Sequence, residues 1–312
     1  MSNSWILVTG GAGFIGSHLV DALVAAGKKV RVLDDFSTGL ASHLPPGVEM
    51  IPGSVTVPAT VEAAMDGVDT VFHLAALASV QRSVEAPAES HDVCATGTLR
   101  VLDTARRHGV RRVVYAASAS AYGIPNNEVQ RESDPLVPLS PYAAAKLSGE
   151  VYCQAFAATY GLETVRLRFF NIFGPRQRAD SPYSGVIAIF AGLLAAGKTP
   201  TIFGDGQQTR DFTYVSDVVQ ALQKAAEVPG ISGEVFNVGT GKPTTLLELV
   251  AGLNAILGTA LVARHAEPRI GDIRHSCANI QRTQERLGYT PEVDFQEGLR
   301  RTMHWAMQQS NR

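Results

Sequence analysis

The sequence predicts an α/β fold: a Rossmann-type, doubly wound parallel sheet with a smaller, discontinuous α/β substrate lobe. Three observations carry this. Over the first two-thirds, short continuous apolar runs alternate with longer amphipathic stretches, the pattern of strands covered on both faces by crossover helices. Residues 175–214 then break the beat with Gly, Pro and polar residues. Finally, 312 residues with 45% hydrophobic content and a net charge of −2 suffice for about two domains with sizeable cores.

The elements follow in order. A strand at 5–9 runs into Gly10-Gly11-Ala12-Gly13-Phe14-Ile15-Gly16 and a helix over 15–26. The second strand, 29–33, ends at Asp34, and the third, 49–51, precedes a helix at 60–65. A fourth strand, 70–74, is followed by a helix over 93–108, and a fifth, 112–117, ends at Ser118. The helix at 142–160 opens after Ser140-Pro141, and the sixth strand covers 163–169. One helix, 186–196, interrupts the loop-rich stretch. A helix at 216–226 and a strand at 234–238 then read as a return to the sheet. Helices at 246–257 and 295–308 close the chain around a loop region through Asn279. The expected units are therefore 1–170 plus 216–238 for the sheet domain, and 171–215 plus 239–312 for the lobe. No repeat or low-complexity segment is present.

Composition excludes several classes. Lys+Arg 27 against Asp+Glu 29 leaves no basic excess for nucleic acid, and the apolar fraction argues against disorder. Of the 27 basic residues 21 are Arg, which fits anion recognition by guanidinium groups and equally fits GC-rich coding. Cys94, Cys153 and Cys277 are odd in number, far apart and lack metal spacing, so neither a disulfide framework nor a metal site is expected. The N-terminus has no basic segment or cleavage site, and no apolar run reaches about 18 residues. A soluble cytoplasmic protein is the expectation.

Two places carry chemistry. The Gly-rich turn between the first strand and its helix lets backbone N–H groups approach a diphosphate at a helix N-terminus; the plainer reading is a tight turn without a ligand. Asp34, 24 positions after Gly10, can accept both ribose hydroxyls of an adenosine and would repel a 2′-phosphate, which favours NAD over NADP. It can also simply open the loop 35–39. Tyr142 and Lys146 share a helix face at i, i+4, either as a surface pair or as a reactive pair with Ser118 at the carboxyl end of the fifth strand. In the second case Lys146 would lower the phenol pKa and Tyr142 would act as a general base.

With these residues in place the chain resembles the extended short-chain dehydrogenase/reductase family. The likeness rests on Thr9-Gly10-Gly11-Ala12-Gly13-Phe14-Ile15-Gly16, His73-Leu74-Ala75-Ala76, Ser118, Tyr142-x-x-x-Lys146, Arg168-Phe169-Phe170-Asn171, the stretch from Gly204 to Phe212, and Arg269-Ile270-Gly271-Asp272. Within the family it looks most like the NAD-dependent UDP-glucose and UDP-N-acetylglucosamine 4-epimerases. That resemblance implies a catalytic set of Ser118, Tyr142 and Lys146. For NAD it implies Gly10, Gly13, Phe14, Ile15, Gly16, Asp34, Phe36, Ser37, Thr38, Gly39, Ser54, Val55, Leu74, Ala75, Ala76, Cys94, Tyr142, Lys146 and Phe169. For the UDP-sugar it implies Ser79, Ser118, Ser120, Tyr142, Asn171, Val186, Phe203, Arg210, Arg269, Asp272 and Ser276. Asn171 and Arg210 would bind the diphosphate, Arg269 a phosphate, Asp272 the uridine ribose, and Phe203 would lie against the uracil. As plainer readings, Asn171 is a turn residue and the two arginines are surface charges.

Two departures are evident: the resemblance puts Asp at Ser54 and Asn at Cys94. Each loses a polar contact worth about 0.5–1.5 kcal/mol, so looser NAD binding is expected. The reaction class turns on the residues after Ser118. Similar 4,6-dehydratases carry Asp and Glu there, and decarboxylases a Glu at the second position; this chain has Ala119 and Ser120. A 4-epimerase is the favoured reading, with a decarboxylase kept as an alternative. The resemblance also implies that a bulky Tyr at Ser276 would block an N-acetyl group and that a small residue admits it; the other reading is a plain strand residue, with His275 or Cys277 at the position after a one-residue slip. Arg82 and Arg178 leave a UDP-glucuronate 4-epimerase open, and a non-catalytic dinucleotide sensor is the alternative of another class. Related enzymes pair the helices at 93–108 and 142–160 into a four-helix interface, so a homodimer is expected.

Overall fold

The computed structural model describes residues 4–125, 127–178, 185–268 and 273–310. Seven strands build its central sheet: β1 (Trp5–Thr9), β2 (Lys29–Asp34), β3 (Glu49–Pro52), β4 (Val68–His73), β5 (Arg112–Ser118), β6 (Glu163–Phe169) and, much later, β11 (Glu234–Val238). Their order is β11-β6-β5-β4-β1-β2-β3, and every pairing is parallel. The chain winds outward from β1 through β2 to β3, then crosses back to β4 on the other side of β1. The carboxyl ends of β1 and β4 therefore flank the switch point where open α/β sheets take ligands.

Strand alternation feeds two cores. Leu7, Leu33, Val71, Val113 and Tyr115 face α2 (Pro58–Ala64), α5 (Gly97–Arg107) and α6 (Pro141–Tyr160). Their neighbours Val8, Val32, Phe72, Val114 and Phe236 face α1 (Phe14–Ala25) and α8 (Val215–Glu227). Covering on both faces is what the continuous apolar strands demanded.

The predicted strands all form: 5–9, 163–169 and 234–238 with the same bounds, the others with ends shifted by one or two residues. The predicted helix over 93–108 differs more. Two short helices, α3 (Val80–Glu85) and α4 (Pro87–His91), precede α5, and Asp92–Thr96 between α4 and α5 is a π-helical turn. Pro87 supplies the helix start, since its fixed φ and missing N–H suit that position.

Shorter pieces make the rest. β7 (Ile172–Phe173) pairs with β10 (Thr213–Tyr214), and β8 (Thr201–Phe203) with β13 (Arg264–Ala266). β9 (Thr209–Arg210) lies between β12 (Thr244–Thr245) and β14 (His275–Ser276). A third core joins Phe173 and Phe212 to Phe190 and Leu194 of α7 (Val186–Ala195), Leu249 and Leu253 of α9 (Leu246–Leu257), and Leu299 of α11 (Phe295–Ser310). Leu287 of α10 (Gln281–Leu287) joins the core beneath β11. Among the described residues no helix is long and apolar enough to cross a membrane.

The long helix α6 is fixed on the sheet by polar contacts. A Cβ at Gly149 would run into the Tyr115 ring, so this glycine sets the approach distance. The Tyr115 hydroxyl donates to the Lys146 carbonyl at 3.1 Å. One turn on, buried Glu150 takes Arg168 of β6 through bonds of 2.8 to 3.1 Å, and Arg168 also donates to the Tyr122 hydroxyl at 2.9 Å. A buried ion pair this well satisfied holds a helix in one register.

Candidate active site

The turn after β1 leaves no room for side chains. Gly10 has φ +70°, and a Cβ there would lie 2.8 Å from the Ala75 nitrogen. A Cβ at Gly39 would lie 2.8 Å from the Ala12 carbonyl carbon. Gly13 starts α1 without a side-chain cap, and the first turn carries no acidic residue. The helix N-terminus is left for an anion, and a dinucleotide's diphosphate fits this cradle. Phe14, Ile15 and Gly16 form its first turn.

Asp34 ends β2 buried, and both of its oxygens are in use. Oδ2 accepts from the Ala12 N–H at 2.9 Å and Oδ1 from the Phe36 N–H at 2.8 Å. Each oxygen keeps one acceptor site, two in all for a ribose diol. Burial pushes the carboxyl pKa up, and the two N–H bonds pull against it. Phe36 takes φ +57°, turning the loop with Ser37 and Thr38 back over Ala12. Beyond β3, Ser54 accepts from the Thr56 N–H at 3.3 Å and its hydroxyl at 3.0 Å. It lines a cleft of about 540 Å³ with Asp35, Thr56, Glu89, Asp92, Val93 and Arg100; Val55 beside it is buried.

His73, a member of the His73–Ala76 motif, has a defined role in the structure. Its Nδ1 lies 2.7 Å from Thr9 Oγ1 and its Nε2 2.9 Å from Thr98 Oγ1. Thr98 donates its proton to the Cys94 carbonyl at 2.6 Å, so it accepts from Nε2–H, and Nδ1 accepts from Thr9. Thr9 in turn accepts from the Ala75 N–H at 3.3 Å. Every hydroxyl in the chain is thereby oriented. Burial holds the ring neutral, its pKa pushed down to about 3. The chain ties the β1 and β4 ends, with Leu74, Ala75 and Ala76, to the π-helical turn that carries Cys94. The Cys94 thiol is buried against Ala76, Leu77 and Tyr142, and burial pushes its pKa up.

Ser118, Tyr142 and Lys146 come together above β5. The half-buried phenol of Tyr142 stands beside the Ser118 hydroxyl, which favours its ionised form. Lys146 is 3% exposed, with Nζ 4.7 Å from the centre of the Tyr115 ring; desolvation lowers its pKa. The expected depression of the Tyr142 pKa is not what the protein alone produces. Burial pushes the phenol well up, and the Ser118 hydroxyl offsets part of that rise. A phenolate loses more solvation here than the polypeptide returns. Phe169, at the end of β6, sits opposite Ser118.

On the other side, Asn171 takes φ +36° and accepts from the Thr213 N–H at 3.2 Å. Ser79 caps α3, accepting from the Arg82 N–H at 3.1 Å. Val186 opens α7, and Phe203 ends β8 half-buried. Ser276 is paired in register with Arg210 on neighbouring parallel strands, so the two side chains share a face. His275 turns to Thr209 Oγ1 at 3.0 Å, and Cys277 is buried beside Asp211. Arg269 and Asp272 lie outside the described residues. Arg82 is held by Glu89 at 2.9 Å and Glu85 at 3.8 Å.

Asp211 is a residue that sequence reasoning left without a role. Fully buried, it accepts from the Thr240 N–H and hydroxyl (2.8 and 2.6 Å), the Gly241 N–H (2.9 Å) and the Ala278 N–H (3.1 Å). It binds the ends of β9, β11 and β14 into one platform for Arg210 and Ser276.

Comparison with known proteins agrees with this fold. The NAD dependent epimerase/dehydratase family matches residues 6–239. A UDP-glucose 4-epimerase of Mycolicibacterium smegmatis is 40% identical over 306 residues, covering 96% of this chain and 97% of its own. The crystal structure of a UDP-glucose 4-epimerase with UDP-glucose from Thermotoga maritima is 38% identical, with a TM-score of 0.94, covering 98% and 99% of the two chains. A UDP-N-acetylglucosamine 4-epimerase from Methanobrevibacter ruminantium, in complex with UDP-N-acetylmuramic acid, is 37% identical, with a TM-score of 0.94 and coverage of 99% and 100%.

Proposed function

The chain belongs to the NAD dependent epimerase/dehydratase family, and from that premise we propose that it inverts C4 of UDP-N-acetylglucosamine and UDP-N-acetylgalactosamine, and of UDP-glucose and UDP-galactose. At the coarser level the protein is an NAD-dependent isomerase of UDP-sugars. One observation carries the epimerase reading: the Tyr142 phenol stands beside Ser118, one turn before Lys146, and the positions after Ser118 hold Ala119 and Ser120 in place of carboxylates. An acid–base pair for eliminating water is missing there.

In this reading Asp34 takes the adenosine ribose and the Gly10–Gly16 turn takes the diphosphate of NAD. NAD held there would supply the hydride acceptor, and on return the hydride donor, for C4 of the sugar. Tyr142 receives the O4 proton and gives it back after the 4-keto sugar has turned over. Ser118 bonds the same hydroxyl, and Lys146 holds the nicotinamide ribose beside the phenol. Turning the sugar requires a firm grip on the nucleotide and a weak one on the hexose. Arg210, Asn171 and Phe203 supply the first, with Arg269 and Asp272 beyond the described residues; Ser79, Ser118 and Ser120 supply the second.

Substrate breadth rests on Ser276, which shares the face of Arg210 and leaves space for a 2-acetamido group. NMR of the purified protein with UDP-N-acetylglucosamine, UDP-glucose and UDP-glucuronate, each with and without added NAD, tests the reading. The 4-epimers of the first two are expected. Ser276→Tyr is expected to lose the acetamido activity and keep the other; parallel loss of both, or of neither, removes the gate. Conversion of UDP-glucuronate alone would favour the uronate reading, against which Arg82 already has two carboxylate partners. The assembly we propose is a homodimer through the outer faces of α5 and α6.

A further inference from the structure

Lys146 is 3% exposed, and among the described residues no carboxylate forms an ion pair with it. Glu150, one turn on, is bound to Arg168 through bonds of 2.8 to 3.1 Å. What faces the ammonium is the Tyr115 ring, with Nζ 4.7 Å from its centre. The face of an aromatic ring is its negative region and attracts a cation, the more so where water is excluded. The same side chain also holds the lysine backbone: the Tyr115 hydroxyl donates to the Lys146 carbonyl at 3.1 Å. A carbonyl can only accept, so the direction of this bond is fixed. Gly149 makes the arrangement possible, since a Cβ there would lie 2.3 Å from the Tyr115 Oη and 2.6 Å from its Cζ.

We propose that Tyr115 is a positioning residue for the epimerisation, its ring seating the Lys146 ammonium and its hydroxyl fixing that ring against the backbone of the same lysine. The proposal rests on the reading of Lys146 as the group that holds the nicotinamide ribose. That task needs an ammonium at a set place, because its three N–H groups are the donors that ribose hydroxyls accept. A ring face attracts the charge as a whole, so the N–H donors remain for the ribose. Without the ring, burial acts on the ammonium unopposed by any contact, and the neutral amine gains ground.

The other ionisable groups around Lys146 leave the ring this role. Burial pushes the ammonium pKa down. His73 on β4 packs against the Tyr115 ring, 5.7 Å between centres, and is neutral. Cys94 on the π-helical turn and Cys153 on α6 are both pushed up by burial and stay neutral. Tyr142, one turn back on α6, is pushed up as well. Glu150 favours the ammonium from a distance, its oxygens engaged by Arg168 of β6. Arg166 of β6 donates to the Gln154 side chain and the Glu234 carbonyl. On α3 and α4, Arg82 pairs with Glu85 and Glu89 at the surface. The Tyr115 ring is the partner that the structure gives the ammonium itself.

The test follows Lys146 directly, by NMR of the NAD-loaded enzyme labelled with 13C at the lysine ε-carbon, over a pH series. With six lysines in the chain, the Lys146 signal is assigned by its loss in Lys146→Arg. Tyr115→Phe keeps the ring, and one, two or three fluorines on that Phe drain the ring face at nearly constant shape. The Lys146 titration in Tyr115→Phe is expected to match wild type. It is expected to move to lower pH with each fluorine, by about one pH unit for three. The alkaline limb of kcat for UDP-sugar interconversion is expected to move with it, while KM for the UDP-sugar stays within about twofold. On the plateau, kcat of Tyr115→Phe is expected to fall about 2- to 10-fold, the hold on the lysine backbone being lost; an unchanged kcat removes the hydroxyl from the proposal. Tyr115→Leu, which removes the ring, is expected to shift the titration at least as far as three fluorines. Should it fail to fold, the fluorine series decides alone. A titration unmoved along the series overturns the proposal. So does a Tyr115→Phe titration displaced as far as the three-fluorine form, or a defect confined to KM. A wild type that makes no 4-epimer removes the reaction and the positioning role together. A wild type that epimerises beside an unmoved fluorine series removes the positioning role alone.

Discussion

At the scale of single residues, the site shows which signals a sequence carries. Gly10, Gly13 and Asp34 were legible because a strand–turn–helix forces them into one local shape. Tyr142 and Lys146 were legible because 3.6 residues per turn puts them on one face. His73 and Asp211 were not, since their partners lie 25 to 67 positions away. His73 also makes the fold acid-sensitive. The unfolded side chain takes up a proton near its ordinary pKa of 6.5, while the folded ring resists until about 3. The folded form therefore loses up to about 1.4 kcal/mol per pH unit as pH falls from 6.5 toward 3. His73→Gln is expected to be less stable at pH 7 and to show a flatter decline in Tm between pH 6.5 and 4. Equal slopes in a pH series of thermal melts would show that the ring is not held neutral.

At the scale of elements, the large sheet was readable and the small pieces were not. Continuous apolar runs such as Arg112–Ser118 mark buried strands by composition alone. Two-residue strands such as β9, β12 and β14 have no period to detect; tertiary hydrogen bonds create them. The π-helical turn at Asp92–Thr96 is silent for the same reason, because an i→i+5 bond leaves no mark on residue choice. It carries Cys94 next to Tyr142, which fits the habit of such turns to occur at functional sites. The start of α9 shows a local signal that works: Thr245 and Glu248 form a reciprocal capping box. Thr245→Ala is expected to cost about 1 kcal/mol, measured by urea unfolding. No loss would mean that packing of Leu249 and Leu253 sets this helix end unaided.

At the scale of the molecule, the unit boundaries expected from the sequence remain a proposal: 1–170 with 216–238, and 171–215 with 239–312. They agree with the chain leaving the central sheet after β6 and returning as β11. The proposed dimer is argued here too. Val151 and Tyr152 stand 58% and 40% exposed on the outer face of α6, an apolar surface that a second copy would cover. Val151→Arg is expected to halve the mass seen by light scattering at micromolar concentration. A wild type that is already a monomer would remove this assembly.

The late return of β11 bears on how the protein is made. β6 pairs with β5 on one side as soon as both exist, and its other side stays open until residue 238 has been synthesised. More than sixty residues of nascent chain, from the end of β6 to the start of β11, must leave the ribosome while that row of backbone groups faces solvent. An open strand edge is a template for the wrong partner. Arg166 and Arg168 alternate with Val165 and Leu167 along it, placing charge where an intruding strand would have to pair.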